Sequence, residues 1–349
     1  MSVKIKIYLL AFAVMLCAKP AWSGNPDRQG EAGAYELLLN PWARSAGLHT
    51  LNTSMISGVE ALRLNPAGLV RIDQLEVVMS RANYLQGTGI SLNSLGLSRK
   101  IGDNGAFGFS LMATDFGDIE VTTTDQPEGT GATFSPSFFH LGLSYAHMFE
   151  NKVSVGITFR AISQALANVS AFGFAIDAGI QYVTGPDDNF KFGISLRNVG
   201  SPMSFSGEGL STQRPAPNGG FEATLDQRAA SFELPSTLNI GMSYDFLIGE
   251  NHRITALGNF TSNSFSRDNL GAGVEYSLND QFMLRAGYRH EIGVEFIAEE
   301  PIYTGLSAGA SLNFKLGKDT KNTRIGIDYA YRDTKVWDGT HNIGVRFSL

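Results

Sequence analysis

Hydrophobic and polar residues alternate along most of the chain beyond residue 72, in segments separated by clusters of turn-forming residues. The segment from 236 to 246 is the clearest example. Its apolar positions are Leu238, Ile240, Met242, Tyr244 and Phe246, and polar or small residues stand between them. A repeat of two places successive side chains on opposite faces of a β-strand. This part of the chain is therefore predicted to form strands with one apolar and one polar face.

The alternation predicts fourteen strands in this sequence. They cover approximately residues 74–84, 88–101, 105–118, 136–149, 152–165, 170–184, 189–200, 236–248, 252–263, 268–278, 281–292, 304–316, 323–335 and 340–349.

The connections between these strands fall into a short and a long class. The short ones lie near 102–105, 150–152, 185–188, 249–251, 279–280 and 317–322, and the long ones near 119–135, 201–235 and 294–303. Short periplasmic turns and longer external loops are typical of outer-membrane barrels. We therefore predict an all-β fold, a transmembrane antiparallel β-barrel over residues 72–349. An even number of strands predicts both chain ends on the periplasmic side.

The N-terminal 23 residues have the features of a secretory signal. Lys4 and Lys6 precede an apolar run over residues 7–17, and residues 21–23 form a small-x-small cleavage site. The run is too short to span about 30 Å of hydrocarbon, so a cleaved signal is favoured over a membrane anchor. The mature chain is then expected to begin near Gly24.

Composition limits the chemistry of the mature chain. Cys17 is the only cysteine and leaves with the signal, and the net charge of −6 with no basic run argues against nucleic acid as a partner. The six histidines lack metal-ligand spacing, and no Gly-x-Ser-x-Gly elbow is present. We expect neither enzymatic activity nor a cofactor or metal. A soluble β-sandwich is the alternative fold, but one this long would split into domains and no linker is visible.

The inward faces of the predicted strands are rich in glycine and in charge. The glycines are Gly142, Gly156, Gly179, Gly193, Gly241, Gly271, Gly273, Gly287, Gly309, Gly326 and Gly344. Glycine weakens a strand, so either other backbone approaches closely in the lumen or glycine relieves curvature strain. The charged residues are Arg160, Asp177, Arg197, Asp245, Glu275, Arg285, Arg289, Arg324, Asp328, Arg332 and Arg346. Their mixed signs favour structural ion pairs over a conducting pore.

Two segments interrupt the alternation. Residues 24–71 are too apolar for a free tail, and we predict that they fold into the lumen as a plug, with a turn at Asn65-Pro66. Residues 201–235 carry aromatic residues among Ser, Gly and Pro, of which Phe205, Phe221 and Phe232 are the main candidates. This loop could cover the barrel mouth as a lid, dock a partner, or be an ordinary solvated loop.

Several short motifs, taken in order, resemble a known family. They are Ala43–Gly47, Glu60-Ala61, Asn65-Pro66-Ala67, the Gly193–Gly200 stretch with Asn198 and Gly200, Leu234-Pro235, and Asp328–Tyr331. Together they resemble the PorV/PorQ proteins of the type IX secretion system, relatives of the FadL-type fatty-acid channels. The chain departs from that pattern in two places: Leu48, His49 and Thr50 follow Gly47 where more glycines are usual, and Glu60 stands where aspartate is usual.

The resemblance implies a location in the outer membrane, in contact with its lipid. It also implies an outer-membrane component that handles secreted cargo with a C-terminal sorting domain, or that anchors surface-attachment machinery. Other secretion proteins would then be its partners. The alternative is a FadL-like gated channel for hydrophobic small molecules, with the plug as a hatch. The plug motif Glu60, Ala61, Asn65, Pro66 and Ala67 fits both.

Overall fold

The computed structural model describes residues 24–215, 219–294, 301–316 and 323–349. The expected signal at 1–23 and the expected turn at 317–322 therefore lie outside the described residues. Signal cleavage before Gly24 stays a prediction.

The described residues form eighteen strands. They are β1 (Leu75–Asn83), β2 (Ser91–Ile101), β3 (Gly105–Asp115), β4 (Ile119–Glu120), β5 (Thr133–Phe134), β6 (Ser137–Phe149), β7 (Val153–Leu166), β8 (Val169–Thr184), β9 (Phe190–Gly200), β10 (Ser211–Pro215), β11 (Glu222–Asp226), β12 (Thr237–Ile248), β13 (His252–Asn263), β14 (Asn269–Leu278), β15 (Phe282–Glu291), β16 (Tyr303–Lys315), β17 (Arg324–Thr334) and β18 (Thr340–Ser348).

Fourteen of these strands close into one antiparallel barrel, in which β1 pairs with both β2 and β18. The prediction of a fourteen-stranded barrel is confirmed, and strand ends differ from the expected ones by at most three residues. The remaining strands were not predicted. They form two small hairpins within the long connections, β4 with β5 and β10 with β11.

The two faces of the wall follow the sequence pattern. On β12, Met242 and Phe246 are 56% and 50% exposed on the outside, whereas Asn239 and Ser243 are buried on the inside. Apolar side chains on the outer face are what a barrel in hydrocarbon requires.

The helices are short and lie mainly in the plug, residues 24–71. They are the 3₁₀ turns Pro26–Arg28, Tyr35–Leu38, Gly58–Glu60, Pro66–Val70 and Glu208–Leu210, and the one-turn α-helices Ala43–Ala46 and Ala61–Leu64. No helix in the described ranges is long and apolar enough to cross a membrane.

The plug runs along the lumen from one end of the barrel to the other. Its start lies at the end that carries the long loops, where the backbone N–H of Gly24 donates to Asp268 Oδ2 at 2.7 Å. It leaves at the opposite end through Arg71, which leads into β1. The start of the first barrel strand and the end of the last one meet at this inner end, since Leu75 N–H donates to the Leu349 carbonyl. The expectation that both chain ends lie on the periplasmic side is therefore wrong for the described N-terminal part, because the plug crosses the lumen.

Candidate functional site: the plug and the loop that covers it

Most of the inward glycines face the plug. Those in contact with it are Gly156, Gly179, Gly193, Gly241, Gly271, Gly273, Gly287, Gly309 and Gly344, and Gly96 and Gly108 join them although sequence reasoning did not select them. A Cβ atom at Gly193 would lie 2.7 Å from the carbonyl oxygen of Thr53. Plug atoms therefore take the space that a side chain would need at these positions, and backbone atoms of the plug are among the nearest ones at Gly156, Gly193, Gly241, Gly287 and Gly309. Gly142 and Gly326 are exceptions, because they face side chains of the wall.

Asn65 is the hydrogen-bonding centre of the plug motif. Its Oδ1 accepts from Ala67 N–H at 3.2 Å, and its Nδ2 donates to the carbonyls of Thr53 and Ile180 at 3.0 and 3.1 Å. The first bond caps the 3₁₀ turn that begins at Pro66. The other two tie that turn to the rest of the plug and to strand β8. The expected turn at Asn65-Pro66 is present, and its side chains are buried.

Glu60 organises the earlier part of the motif. Its carboxylate accepts hydrogen bonds from the backbone N–H groups of Arg44 and Ser45 and from the Ser45 hydroxyl. It also lies 3.4 Å from Arg44 Nε. Ala61 follows it, fully buried. The motif residues 43–47 and 60–67, separate in the sequence, thus form one unit in the lumen.

Arginine side chains fasten the plug by donating to its carbonyl groups. Arg63 donates to the carbonyls of Leu39 and Glu36, both at 2.7 Å, and Arg160 of β7 donates to the Leu62 carbonyl at 3.2 Å. Sequence reasoning missed Arg63. A lone arginine inside an otherwise apolar helical turn was the available signal, since a buried arginine needs acceptors.

Glu36 of the plug meets two side chains of the wall. Gln164 Nε2 donates to Glu36 Oε1 at 2.6 Å, and His140 Nε2 lies 3.3 Å from the same oxygen. The carboxylate of Glu36 therefore links the plug to strands β6 and β7 of the wall.

Opposite charges pair across the wall, as the mixed signs predicted. The pairs are Arg160–Asp177, Lys191–Asp245 and Arg285–Glu275, each at 2.5 Å, and Arg346–Asp328 at 3.5 Å. Among the described residues, four of the predicted lumen arginines are in no such pair: Arg197, Arg289, Arg324 and Arg332. Arg332 instead lies over the ring of Tyr303, 5.0 Å from its centroid. Ion pairing therefore explains part of the lumen charge, and a cation–π contact explains Arg332.

The motif residues on either side of the long loop also come together. Asn198 has a φ of 58° beside the point where the register of β8 and β9 shifts. Its N–H donates to Asp177 Oδ1 at 2.7 Å, and its Nδ2 donates to the carbonyl of Pro235 at 3.0 Å. A Cβ at Gly200 would lie 2.8 Å from Leu234 Cδ1. These four motif positions therefore close the base of residues 201–235, which we call the lid loop.

The lid loop covers the start of the plug. Gly33 N–H donates to the Glu233 carbonyl at 3.0 Å, and Arg28 Nη2 lies 3.1 Å from the Glu233 carboxylate. Leu37 of the plug shares one apolar cluster with Met203 and Leu234 of the loop. Plug and loop thus form a continuous packed unit at this end of the barrel.

The three aromatic candidates of the lid loop separate into two locations. Phe205 and Phe232 pack against that cluster, with ring centroids 5.8 Å apart. Phe221 lies instead beside the hairpin of β10 and β11 and is 68% exposed, and Leu225 on β11 is 53% exposed. The loop therefore has an inner part that seals the plug and an outer hairpin with apolar side chains in solvent.

The described residues contain no group of three or more His, Cys, Asp or Glu side chains arranged to hold a metal ion. No curated protein was found to be similar in sequence to this chain.

A family model described as the type IX secretion system membrane protein PorP/SprF matches residues 62–347. The chain belongs to the PorP/SprF family. The match covers the end of the plug and nearly the whole barrel, and it identifies an outer-membrane protein of type IX secretion. The secretion system implied by the motif resemblance is thus confirmed, whereas PorV/PorQ specifically is not.

Several solved structures are similar to this PorP/SprF protein. The Ralstonia pickettii toluene transporter TbuX is 14% identical with a TM-score of 0.54, over 88% of this chain and 98% of that one. The P. putida toluene transporter TodX is 15% identical with a TM-score of 0.53, over 89% and 98%. A Pseudomonas aeruginosa FadL homologue is 16% identical with a TM-score of 0.49, over 87% and 96%. At such identities the similarity to TbuX and TodX establishes the fold alone.

Proposed function

We propose that this PorP/SprF protein is a non-enzymatic docking component of type IX secretion. In this proposal the lid loop binds secreted cargo or surface-attachment machinery at the outer face, and other secretion proteins are its partners. The motif resemblance supports a PorV- or PorQ-like role in handling cargo that carries a C-terminal sorting domain.

The observation that carries the proposal is an exposed hairpin above an occupied lumen. In the part of the chain that the structure describes, β10 and β11 pair with each other and with no other strand, so both outer edges of the hairpin are free there. Free strand edges accept a partner strand, and exposed apolar side chains add contact area. Phe221 and Leu225 supply such side chains. Residues 24–71 occupy much of the lumen behind the hairpin, which favours the outer face as the binding surface.

A second candidate is a gated channel for hydrophobic small molecules. It is favoured by the fold shared with the toluene transporters TbuX and TodX. In that case the plug would act as a hatch, and the hydrogen bonds of Asn65 and Glu60 would have to open during transport.

Affinity isolation from native outer membranes separates the two candidates. Tagged wild-type protein should recover other secretion proteins or cargo domains. The double variant Phe221→Ser/Leu225→Ser should lose that recovery, because it removes the exposed apolar contacts. Ile119→Ser is the matched control, since Ile119 is 41% exposed on the other hairpin.

The channel candidate gives a different set of results. Recovery of lipid alone, together with hydrocarbon or fatty-acid uptake that depends on the protein, would contradict the docking role. Equal recovery by the wild type and the double variant would place the docking surface elsewhere than on the hairpin.

A further inference from the structure

A groove of 510 Å³ lies on the lipid-facing side of the wall, where β18, β1, β2 and β3 run side by side. Two rows of paired residues build it. In the row nearer the long loops, Arg81 stands opposite Asn93, and Asn93 stands opposite Ala113. In the next row, Met79 stands between Val345 and Leu95. The groove is therefore polar at its outer end and apolar toward the middle of the wall.

The apolar part of the groove is open to the surroundings. Met79 is 61% exposed and Val345 is 51% exposed. Ala113 is short, so it leaves space in the outer row beside Asn93. In a bilayer, hydrocarbon fills such a space, and its outline suits one acyl chain running along the strands.

The polar end of the groove carries the guanidinium of Arg81, which has few contacts with polar groups of the protein. The one hydrogen bond of the Arg81 guanidinium goes from Nε to Asn83 Oδ1 at 3.4 Å. Within the described residues Arg81 forms no ion pair. Asp115, in the next row outward on β3, accepts from Gly117 N–H at 2.9 Å. Arg81 is thus available to an external anion.

The position of Arg81 along its strand decides which lipid it meets. Arg81 lies two residues from the end of β1 that leads to the external loops. An arginine on the lipid face is costly at mid-membrane and nearly free of cost at the interface. Its place near the outer end of β1 suits the headgroup level of the outer leaflet. A guanidinium binds phosphate well because its planar donors match phosphate oxygens.

We propose that this groove binds one outer-leaflet lipid with a phosphate-bearing headgroup. The phosphate lies at Arg81 and Asn93, and one acyl chain lies over Met79, Leu95 and Val345. The site goes beyond the docking role and does not depend on it, because it requires only the outer-membrane location.

Native mass spectrometry of the full-length protein in a neutral detergent tests this site. The probes are lipid A and the same lipid with its phosphates removed. Wild-type protein should hold one lipid A more tightly than the dephosphorylated form. Arg81→Ala should weaken lipid A binding roughly fivefold, the effect of one basic side chain near a membrane surface. It should leave binding of the dephosphorylated lipid unchanged.

Two further variants sharpen the test. Ala113→Phe fills the groove and should weaken binding of both lipids without removing charge. Arg99→Ala is the matched control, because Arg99 is an exposed outward arginine on β2 near the opposite rim. Equal lipid A affinity of the Arg81→Ala and Arg99→Ala proteins, both confirmed as folded, would overturn the phosphate site. Unchanged binding by Ala113→Phe would overturn the placement of the lipid in this groove.

Discussion

At the scale of single residues, the plug is held by polar side chains that satisfy buried backbone groups. Asn65 joins the plug to itself and to β8, and Glu60 gathers the N–H groups of Arg44 and Ser45. A buried backbone group without a partner is costly. Removing one of these side chains would therefore cost more free energy than the net stabilisation of the hydrogen bonds it makes. The plug motif is thus a structural motif of the lumen.

Asn65→Ala should loosen the plug. The change leaves Ala67 N–H and the carbonyls of Thr53 and Ile180 without their partner, which costs about 2 to 4 kcal/mol in opening free energy of the plug. Hydrogen exchange at the Ile56 amide, which donates to the Asn52 carbonyl at 2.9 Å, reports that opening at a distance from the substitution.

Asn25→Ala is the control for Asn65→Ala, because the Asn25 side chain is exposed in the same segment. Equal exchange at Ile56 in both variants would show that Asn65 does not hold the plug.

At the scale of elements, the wall and the plug fit because the wall strands lack side chains where the plug touches them. At Gly156, an added Cβ would collide with the carbonyl of Pro66 and the nitrogen of Ala67, which are backbone atoms that cannot rotate away. Glycines at these positions let the 3₁₀ turn Pro66–Val70 lie directly against strands β6, β7 and β8.

Gly156→Ala should therefore displace the 3₁₀ turn Pro66–Val70. Overpacking of this kind costs about 1 to 3 kcal/mol. Faster amide exchange within that turn, or protease cleavage of the plug, would report the displacement.

Gly258→Ala is the matched comparison, since a Cβ there would have one neighbour, at 3.9 Å. The two alanine variants behaving alike would contradict the close fit of wall and plug.

Strands were predictable from the sequence, and the contacts between plug and wall were not. The alternation from Leu238 to Phe246 places side chains by geometry alone, so strand number and faces followed directly. A lone arginine in the apolar turn 61–64 indicates that Arg63 needs acceptors, but the sequence does not show that these are the carbonyls of Leu39 and Glu36. Phe205 and Phe221 look alike in the sequence, since both are aromatic residues among Ser, Gly and Pro. In the structure Phe205 packs against the apolar cluster, whereas Phe221 lies beside the hairpin of β10 and β11. Short motifs identified the secretion system but did not distinguish PorP/SprF from PorV/PorQ.

At the scale of the whole molecule, the barrel encloses residues 24–71 in its lumen. The plug extends from Gly24, which donates to Asp268 at the outer end, to Arg71 at the inner end. The lid loop covers its start through Glu233. A barrel of this strand number would otherwise enclose an open lumen. The proposed docking role follows from this arrangement, because the outer face is the accessible side of an occupied barrel.

Intact protein should show low conductance in planar bilayers, and deletion of residues 24–71 should raise it. The reason is that the plug occupies the lumen, whose wall is polar and would hydrate once emptied. Heat-modifiable migration on gels serves as the control that the shortened barrel is folded. Unchanged conductance of a folded deletion variant would count against occlusion by the plug.

Residues 24–71 sit inside the barrel, and an engineered disulfide provides the sharpest test of that position. A Cβ at Gly344 on β18 would lie 3.5 Å from the Cβ of Ala43 in the plug, within the range of about 3.5–4.5 Å that disulfides use. The pair Ala43→Cys/Gly344→Cys, in a Cys17→Ser background, should cross-link intramolecularly in native membranes. Ala43→Cys/Gly193→Cys should not, because Gly193 faces Thr53. Non-reducing electrophoresis that finds the first pair reduced under oxidising conditions, or both pairs cross-linked equally, would contradict the position of the plug.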